Sequence, residues 1–446
     1  MPTGKRGSDM KERTLLERLR AGEAVGLLEG LAAEEGMEAD SLAEALLEGR
    51  AVIPCNRARA LERPCVVGGG SRTKVNANIG TSSDYVGLGG ELEKLGAAVD
   101  AGADTVMDLS TGGPIDEVRN AVVASSPVPV GTVPIYQAAV RAQEERGSIV
   151  AMTGEDIFRA VEDHCASGVD FITVHCGVTS GVLEALKANP RVADIVSRGG
   201  AFLAGWILHN QKENPLYEDF DRLLEIARRH EVTLSLGDGL RPGCTEDASD
   251  AAQLAELVVL GRLVRRCREA GVQCMVEGPG HIPLHQVEAN VRMAKAITRG
   301  APFYVLGPLV TDVAAGYDHI AAAIGGAVAA LAGADFLCYV TPREHLGLPT
   351  AEDVREGVMV TRIAGHAADL ARGLPGARAM DLEMSRARKR LDWEEQLRLA
   401  LDPAKARRMF GERQVEGERA CTMCGDFCAM RFIGEYLGRE EAGACG

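Results

Sequence analysis

The sequence lacks the features of an exported or membrane-embedded protein. It has no N-terminal apolar stretch behind a basic start, and no run of about 18 apolar residues, the length that a membrane-spanning helix requires. Hydrophobic residues make up 46% and charged residues 25% of its 446 residues, a composition that can bury a large core. We therefore expect a globular, cytoplasmic protein with no membrane partner.

The sequence also lacks an excess of positive charge. Its formal net charge is -15, whereas a protein that binds nucleic acid usually presents a basic face. We therefore expect no nucleic-acid partner. An anionic small substrate would have to be held by local positive groups, because the overall field of the protein repels it.

Most of the twelve cysteines are not grouped. In a reducing compartment, cysteines that stand singly in apolar segments are expected to be small core residues. Six cysteines fit this description: Cys165, Cys176, Cys244, Cys267, Cys274 and Cys338.

The exception is a C-x2-C-x3-C triplet near the C-terminus, formed by Cys421, Cys424 and Cys428. A [4Fe–4S] cluster held by only three cysteines leaves one iron open, and an open iron can bind S-adenosylmethionine (SAM). One-electron reduction through such a cluster would cleave the sulfonium and release a 5'-deoxyadenosyl radical. The alternative is a zinc knuckle whose fourth ligand is Cys445 or a histidine.

Residues 9–50 have a helical pattern, and from about residue 70 short β-rich runs alternate with amphipathic helical stretches, which is typical of a parallel sheet. Several of these helices end on an Ala-Gly or Ser-Gly pair just before the next run. No G-x-G-x-x-G follows the first run, so a (β/α)8 barrel is favoured over a doubly wound open sheet. Nine runs are candidate strands, one more than the barrel needs, and the fifth is the weakest: Lys74–Gly80, Asp104–Leu109, Val128–Val133, Asp170–His175, Asp194–Ser197, Thr233–Leu236, Gln273–Glu277, Pro302–Leu306 and Asp335–Val340.

Polar residues cluster at the ends of these runs. In a TIM barrel the carboxyl ends of the strands converge on one face, and active sites lie there. Each residue alone is more typical of a turn or of a satisfied core position, but the same placement recurs along the chain. The residues are Asn76, Asn78, Met107, Asp108, His175, Ser197, Arg198, Asp238, Arg241, Glu277, His281 and Tyr304.

Two loops pair an arginine with glycines, Ser197–Gly200 and Asp238–Gly243. Glycine lets a ligand approach the backbone and arginine suits a phosphate or carboxylate, although both loops also fit tight turns with solvated arginines. His281 and His345 each stand beside carboxylates after a predicted strand. Together they are candidates for one divalent zinc or iron ion.

Long motifs resemble the phosphomethylpyrimidine synthase family of thiamine biosynthesis. They are Arg72–Gly80, Met107–Gly113, Pro134–Ala138, the two arginine loops, Glu277–His281 and the cysteine triplet. The resemblance covers the chain from about residue 50 onward. It implies an N-terminal domain (1–70), a (β/α)8 catalytic barrel (71–375) and a C-terminal helical segment that carries the cluster (376–446).

The resemblance also implies a radical SAM reaction. In it, 5-aminoimidazole ribotide rearranges to 4-amino-2-hydroxymethyl-5-pyrimidine phosphate with release of formate and carbon monoxide. An electron donor would reduce the cluster, which would sit on Cys421, Cys424 and Cys428, and His281 and His345 would hold the metal. Family members are homodimers in which the mobile cluster segment of one chain covers the barrel of the other. The residues implied to bind the ribotide are Asn78, Met107, Tyr136, His175, Ser197, Arg198, Gly199, Asp238, Gly239, Leu240, Arg241, Glu277 and Tyr304.

Two departures from the family pattern stand out. Many members have C-x2-C-x4-C, one residue longer than the triplet here, and Arg59 stands where the family usually shows a histidine. A paralogue, 5-hydroxybenzimidazole synthase of anaerobic cobamide synthesis, uses the same ribotide and nearly the same motifs. Outside this class, the residues also fit a metal-dependent barrel hydrolase with a structural zinc tail. A ribotide-binding sensor without activity is the other alternative.

Overall fold

The structure is a computed structural model that describes residues 13–23, 26–413 and 420–437. The described residues form two compact units that divide between Asp369 and Leu370. The three-part division at residues 70 and 375 stays a prediction. Within the described residues, no helix combines the length and the apolar character needed to cross a membrane.

The N-terminal part of the first unit is helical, as its sequence pattern predicts, and packs around leucine side chains. The first helix is capped by Thr14, whose hydroxyl accepts the Glu17 N–H while the Glu17 carboxylate accepts the Thr14 N–H. Leu16, Leu31 and Leu42 belong to one buried cluster that stabilises this part of the chain. The helices are α1 (Leu15–Arg20), α2 (Gly26–Glu35) and α3 (Ala39–Leu47), followed by the antiparallel pair β1 (Ala51–Val52) and β2 (Val67–Gly68).

A closed barrel of eight parallel strands follows, which confirms the predicted fold. The last strand pairs with the first, with Cys338 opposite Asn76, and this ladder closes the sheet. In sequence order, which is also the order around the barrel, the strands are β3 (Lys74–Ile79), β4 (Thr105–Asp108), β5 (Val130–Thr132), β6 (Phe171–Val174), β7 (Thr233–Leu236), β8 (Cys274–Gly278), β9 (Phe303–Leu306) and β10 (Phe336–Cys338).

The prediction of a strand at the fifth candidate run, Asp194–Ser197, was wrong. This segment is irregular, and Ser197 is the N-cap of a helix: its hydroxyl accepts the Gly200 N–H at 3.2 Å. Serine at this position satisfies an N–H group that has no partner within the helix. The Ser197–Gly200 loop is therefore the start of a helix rather than the end of a strand.

Helices connect the strands and surround the barrel. Four of them end at glycines with positive φ, Gly102, Gly168, Gly271 and Gly333, as the repeated Ala-Gly and Ser-Gly pairs predict. The helices of this part are α4 (Leu88–Asp100), α5 (Ile115–Ser125), α6 (Pro134–Arg146), α7 (Gly154–Ala166), α8 (Ser180–Ala188), α9 (Arg198–Asn210), α10 (Pro215–Glu218), α11 (Phe220–His230), α12 (Ala251–Ala270), α13 (Leu284–Ile297), α14 (Asp318–Ala332) and α15 (Ala351–Ala371).

The amino ends of the strands are held by buried ion pairs. The Lys74 ammonium is fully buried and lies 2.8 Å from the Glu35 carboxylate. Arg59 donates to the buried Asp170 carboxylate at 2.6 Å, just before β6. Arg59 thus lies at the end of the barrel opposite to the carboxyl ends of the strands. Arg59, which stands where the family usually shows a histidine, therefore has a structural role at that end of the barrel.

The second unit begins at Leu370, in the last turn of α15. Trp393 stacks on Phe410 with ring centroids 4.7 Å apart. Asp392 and Asp402 cap two of its helices by accepting backbone N–H groups. The remaining helices are α16 (Pro375–Arg390), α17 (Trp393–Leu399), α18 (Pro403–Gly411) and α19 (Ala429–Tyr436).

The barrel interior leaves no room for a side chain at Gly131. A Cβ atom there would lie 2.2 Å from the Phe171 ring and 2.8 Å from Met107. We expect Gly131→Ala to lower the free energy of unfolding by about 1–3 kcal/mol, because overpacking forces the ring or the strand to move. Urea denaturation followed by circular dichroism measures this.

The matched control is Gly96→Ala in α4, where a Cβ atom would meet nothing within 4 Å. Alanine in an exposed helix interior is worth up to about 1 kcal/mol more than glycine, so this variant should be as stable as the parent or more stable. Equal stability of the Gly131→Ala variant and the parent would show that the barrel interior is loosely packed.

Candidate active site

A cavity of about 250 Å³ opens at the carboxyl ends of the barrel strands. This is the face on which TIM-barrel enzymes carry their active sites. Nine of the thirteen residues predicted to bind the ribotide line it: Asn78, Met107, Tyr136, His175, Arg198, Asp238, Arg241, Glu277 and Tyr304.

The other four predicted residues lie behind the cavity wall. Ser197 caps α9, and Gly199 packs so closely on His175 that a Cβ atom would lie 2.3 Å from the ring. Gly239 and Leu240 belong to the Asp238–Arg241 loop, and their N–H groups donate to the Glu256 carboxylate, away from the cavity. These four residues therefore support the cavity wall through a helix cap, close packing and backbone hydrogen bonds.

The floor of the cavity is a neutral hydrogen-bonded network. The Asn76 amide donates to the Tyr304 hydroxyl and to Asn78 Oδ1, both at 2.8 Å. Tyr304 in turn donates to Met107 Sδ at 3.5 Å, and Asn78 donates to Cys338 Sγ at 3.1 Å. Cys338, interpreted from sequence as a core residue, is 5% exposed and also lines the cavity.

Of the three carboxyl groups that line the cavity, those of Glu277 and Asp238 have different surroundings. Glu277 Oε1 accepts hydrogen bonds from the Thr173 and Ser235 hydroxyls, both at 2.7 Å, and burial raises the pKa of this carboxyl. Asp238 Oδ1 accepts from Arg241 at 3.2 Å, while Asp238 Oδ2 is buried with no hydrogen-bond partner among the described residues. Burial raises the pKa of Asp238 to about 8, against the opposing effect of Arg241.

Two arginines bring positive charge to this wall. Arg198 emerges from the first turn of α9, and its guanidinium lies 5.0 Å from the centre of the Tyr136 ring. Arg241 emerges from the Asp238–Arg241 loop beside Asp238. Helix α9 also points its N-terminus towards this region, and its first-turn N–H groups favour an anion.

His175 supplies a neutral imidazole. Its ring is 2% exposed, and its Nδ1 atom has no hydrogen-bond partner within the described part of the chain. Burial lowers the pKa of His175 to about 3, with Arg241 adding to the effect. A buried polar atom without a partner costs free energy, which makes His175 a candidate contact for a bound molecule.

A second cavity of about 320 Å³ adjoins the first and shares Asn78, Arg198 and Glu344 with it. The barrel mouth therefore has room for two small molecules side by side. Sequence analysis did not include Thr173, Cys338 or Glu344 among the binding residues. Thr173 was detectable in principle, since it lies two positions before His175 and so on the same face of β6.

His281 and His345 lie together, as predicted, with ring centroids 5.3 Å apart. His281 Nδ1 is 2.8 Å from Asp312, and His345 Nδ1 is 3.2 Å from Asp318. Asp312 holds one ring nitrogen of His281 and leaves the other free to bind a metal, which is the usual arrangement around metal-bound histidines. Asp318 lies beside His345 without a hydrogen bond to it among the described residues. In the described residues no three His, Cys, Asp or Glu side chains converge to hold a single ion.

The cysteine triplet occupies one compact turn. Backbone bonds Gly425 N–H to Cys421 O and Phe427 N–H to Cys424 O fold it, and all three thiols are free of disulfides. Cys424 is exposed, and Cys421 and Cys428 are half-buried. A [4Fe–4S] cluster takes each thiolate on a different iron, so three accessible thiols on one short turn fit it without converging on one point. Cys445 lies outside the described residues.

We expect His175 to stay neutral between pH 8 and pH 5, because its pKa is shifted downward and protonation would bury a charge. The unfolded chain takes up this proton near pH 6.5, so the folded state loses stability as the pH falls below that value. Nitrogen-15 NMR of histidine-labelled protein measures the ring, with the His175→Gln variant providing the assignment. A His175 signal that titrates near pH 6.5 would contradict the buried, neutral state.

Comparison with known proteins supports the family resemblance found in the sequence motifs. The model of the radical SAM ThiC family matches residues 14–435. A phosphomethylpyrimidine synthase of Moorella thermoacetica is 63% identical over 428 residues, which cover 96% of this chain and 99% of the relative. That of Desulforamulus reducens is 59% identical and covers 94% and 98%, and that of Desulforudis audaxviator is 61% identical and covers 93% and 96%. The chain belongs to the radical SAM ThiC family.

Proposed function

We propose that this enzyme converts 5-aminoimidazole ribotide into 4-amino-2-hydroxymethyl-5-pyrimidine phosphate, with release of formate and carbon monoxide, in thiamine biosynthesis. The observation that carries the proposal is the polar lining of the cavity. Two arginines, the neutral imidazole of His175 and the carboxyl group of Asp238 line one small space, and among the described residues His175 Nδ1 and Asp238 Oδ2 have no hydrogen-bond partner. Membership of a radical SAM family argues against the hydrolase and the inactive sensor.

The polar groups suggest how the ribotide lies. We place its phosphate at Arg198 and Arg241 beside the N-terminus of α9, where two guanidinium groups and the positive end of a helix dipole occur together. The uncharged base then faces His175 and the neutral floor at Asn78 and Tyr304. At neutral pH the raised pKa of Asp238 keeps a proton on this carboxyl, which lets Oδ2 donate to a nitrogen or oxygen of the ligand.

We propose that Cys421, Cys424 and Cys428 hold a [4Fe–4S] cluster reduced by an electron donor. When bound, the cluster and SAM supply the 5'-deoxyadenosyl radical that begins the reaction. The second cavity offers SAM a place beside the ribotide. We place the reaction in the reducing cytosol, which suits free thiols of this kind.

We also propose a homodimer in which the cluster segment of one chain covers the barrel of the other. Exposed apolar side chains on that segment support this, since Met423 is 90% and Phe427 is 91% exposed. Large apolar groups in water usually mark an interaction surface.

For the histidine pair we propose one divalent zinc or iron ion. His281 would bind it through the ring nitrogen that Asp312 leaves free, and His345, whose ring centroid lies 5.3 Å from that of His281, would supply the second imidazole. Imidazole ligands must be neutral, and burial already lowers the pKa of His281.

The reaction is tested by anaerobic turnover of the ribotide with SAM and dithionite, followed by mass analysis of the products. We expect hydroxymethylpyrimidine phosphate and 5'-deoxyadenosine. Because all three thiolates are needed to hold the cluster, the Cys421→Ala, Cys424→Ala and Cys428→Ala variants should form no 5'-deoxyadenosine.

The matched control is Cys445→Ala, which should behave as the parent. A hydroxybenzimidazole product would assign the chain to the cobamide branch instead. Formation of 5'-deoxyadenosine by the triple cysteine variant would disprove the cluster assignment.

Anchoring of the phosphate is tested at the two arginines. We expect Arg198→Ala and Arg241→Ala each to weaken ribotide binding about ten- to a hundred-fold, the effect of losing a charge-assisted contact worth about 1.5–3 kcal/mol. Arg→Lys should recover only part of the affinity, since an ammonium does not offer the planar fork. Isothermal titration calorimetry measures the dissociation constant.

Arg292→Ala on the surface of α13 is the control, because this side chain is 68% exposed and pairs only with Glu288 among the contacts described. It should bind the ribotide as the parent does, and SAM binding should barely change in any of these variants. Parent-like affinity in both Arg198→Ala and Arg241→Ala would place the phosphate elsewhere.

A further inference from the structure

The Asp238–Arg241 loop is held from behind by two buried side chains, those of Glu256 and Arg191. Glu256 of α12 is 2% exposed and accepts the Gly239 N–H at 2.9 Å on Oε1 and the Leu240 N–H at 2.7 Å on Oε2. Arg191 donates to the Leu240 carbonyl at 2.6 Å. The polar backbone groups of Gly239 and Leu240 are therefore bonded to side chains outside the cavity.

Arg191 is itself fixed. It forms two hydrogen bonds of 2.7 Å with the Asp250 carboxylate and donates to the Asp194 carbonyl at 3.2 Å. Asp194 lies a few residues before α9. The same arginine thus links the Asp238–Arg241 loop to the segment that leads to Arg198.

Close backbone packing leaves this arrangement little freedom. A Cβ atom on Gly239 would lie 2.2 Å from Val178, and a Cβ atom on Gly200 would lie 2.2 Å from the Gly239 carbonyl oxygen. A Cβ atom on Gly177 would lie 2.7 Å from the Glu256 side chain. Glycines at these points let Glu256 reach the loop and let the loop touch α9.

We infer that Glu256 is a positioning residue for the ribotide: by accepting both N–H groups it fixes the loop that carries Asp238 and Arg241. Glu256 does not line the ligand cavity, so it acts through these two side chains. The inference rests on the proposed function, because the ribotide is the ligand that the loop would present.

The substitution Glu256→Gln keeps the shape but replaces one acceptor with an NH2 group that faces an N–H donor. The loop then loses one hydrogen bond and gains an unfavourable contact, so Arg241 shifts. Displacements of about 1 Å at a positioning group cost up to about a hundred-fold, and we expect the ribotide dissociation constant to rise about ten- to a hundred-fold. At saturating ribotide, kcat should change much less than KM.

Asp170→Asn is the matched control. Asp170 is also buried and also accepts two backbone N–H groups, those of Asn56 at 3.0 Å and Val130 at 2.8 Å, but it lies at the amino ends of the strands and neither residue lines the cavity. This variant loses the same kind of contact. It should lose stability while ribotide affinity stays within about two-fold of the parent.

The experiment is calorimetric titration of the full-length holoenzyme with 5-aminoimidazole ribotide, in a double-mutant cycle of Glu256→Gln and Arg241→Ala. If Glu256 acts through Arg241, the effect of Glu256→Gln largely disappears in the Arg241→Ala background. Hydrogen exchange of the Gly239 and Leu240 amides should be faster in Glu256→Gln. If that variant does not fold, Glu256→Asp, which keeps the carboxyl group but withdraws it from the loop, is held to the same criteria.

Each outcome is decisive. Parent-like affinity of Glu256→Gln, strictly additive effects in the cycle, or equal weakening by Asp170→Asn would each overturn the positioning role. A parent enzyme that does not bind the ribotide at all would instead overturn the proposed function. Unchanged exchange of the two amides would show that the carboxylate does not hold the loop in solution.

Discussion

The active face depends on closure of the parallel sheet. The ladder between β10 and β3 places Cys338 opposite Asn76, and the other strands follow in chain order. Because all eight strands run in one direction, residues far apart in sequence meet at the same end. The hydrogen bonds that join Asn76 to Tyr304 and Asn78 to Cys338 exist only because the first and the last two strands are neighbours. Without closure, the cavity floor would not form.

Much of this architecture was predictable because short stretches of sequence determine where each strand and helix begins and ends. Strand positions follow from short apolar runs, and helix ends follow from glycines such as Gly168 and Gly271, whose positive φ suits no other residue as well. The polar residues at the strand ends indicated the candidate active face, because the carboxyl ends of all strands in a parallel barrel lie on the same face. The same reasoning failed at Ser197, where an apolar pair before a serine resembled a strand. The hydrogen bond from Gly200 to the Ser197 hydroxyl shows it to be a helix cap.

Contacts between elements were not predictable. Glu256 lies within a helical pattern, and nothing in its neighbourhood distinguishes it from a solvent-facing glutamate. Its burial depends on α12 packing beside glycines at 177 and 239. Cys338 likewise has the sequence context of a core residue, and only its register opposite Asn76 places it at the cavity. Within the two arginine loops, Arg198 and Arg241 line the cavity, whereas Gly199, Gly239 and Leu240 lie behind it. This difference depends on how the loops pack in the folded protein, so the sequence alone does not predict it.

Burial also explains how a strongly acidic protein can hold an anion. The net charge of -15 opposes a phosphate at long range, and three carboxyl groups, those of Asp238, Glu277 and Glu344, share the cavity with the two arginines. Desolvation raises the pKa of Asp238 to about 8 and also raises that of Glu277, so acidic groups at the site are shifted towards their neutral forms. The guanidinium groups keep their charge at any physiological pH. The same low-polarity surroundings that suppress negative charge in the cavity therefore leave its positive charge intact, and the local field can attract a ligand that the protein as a whole repels.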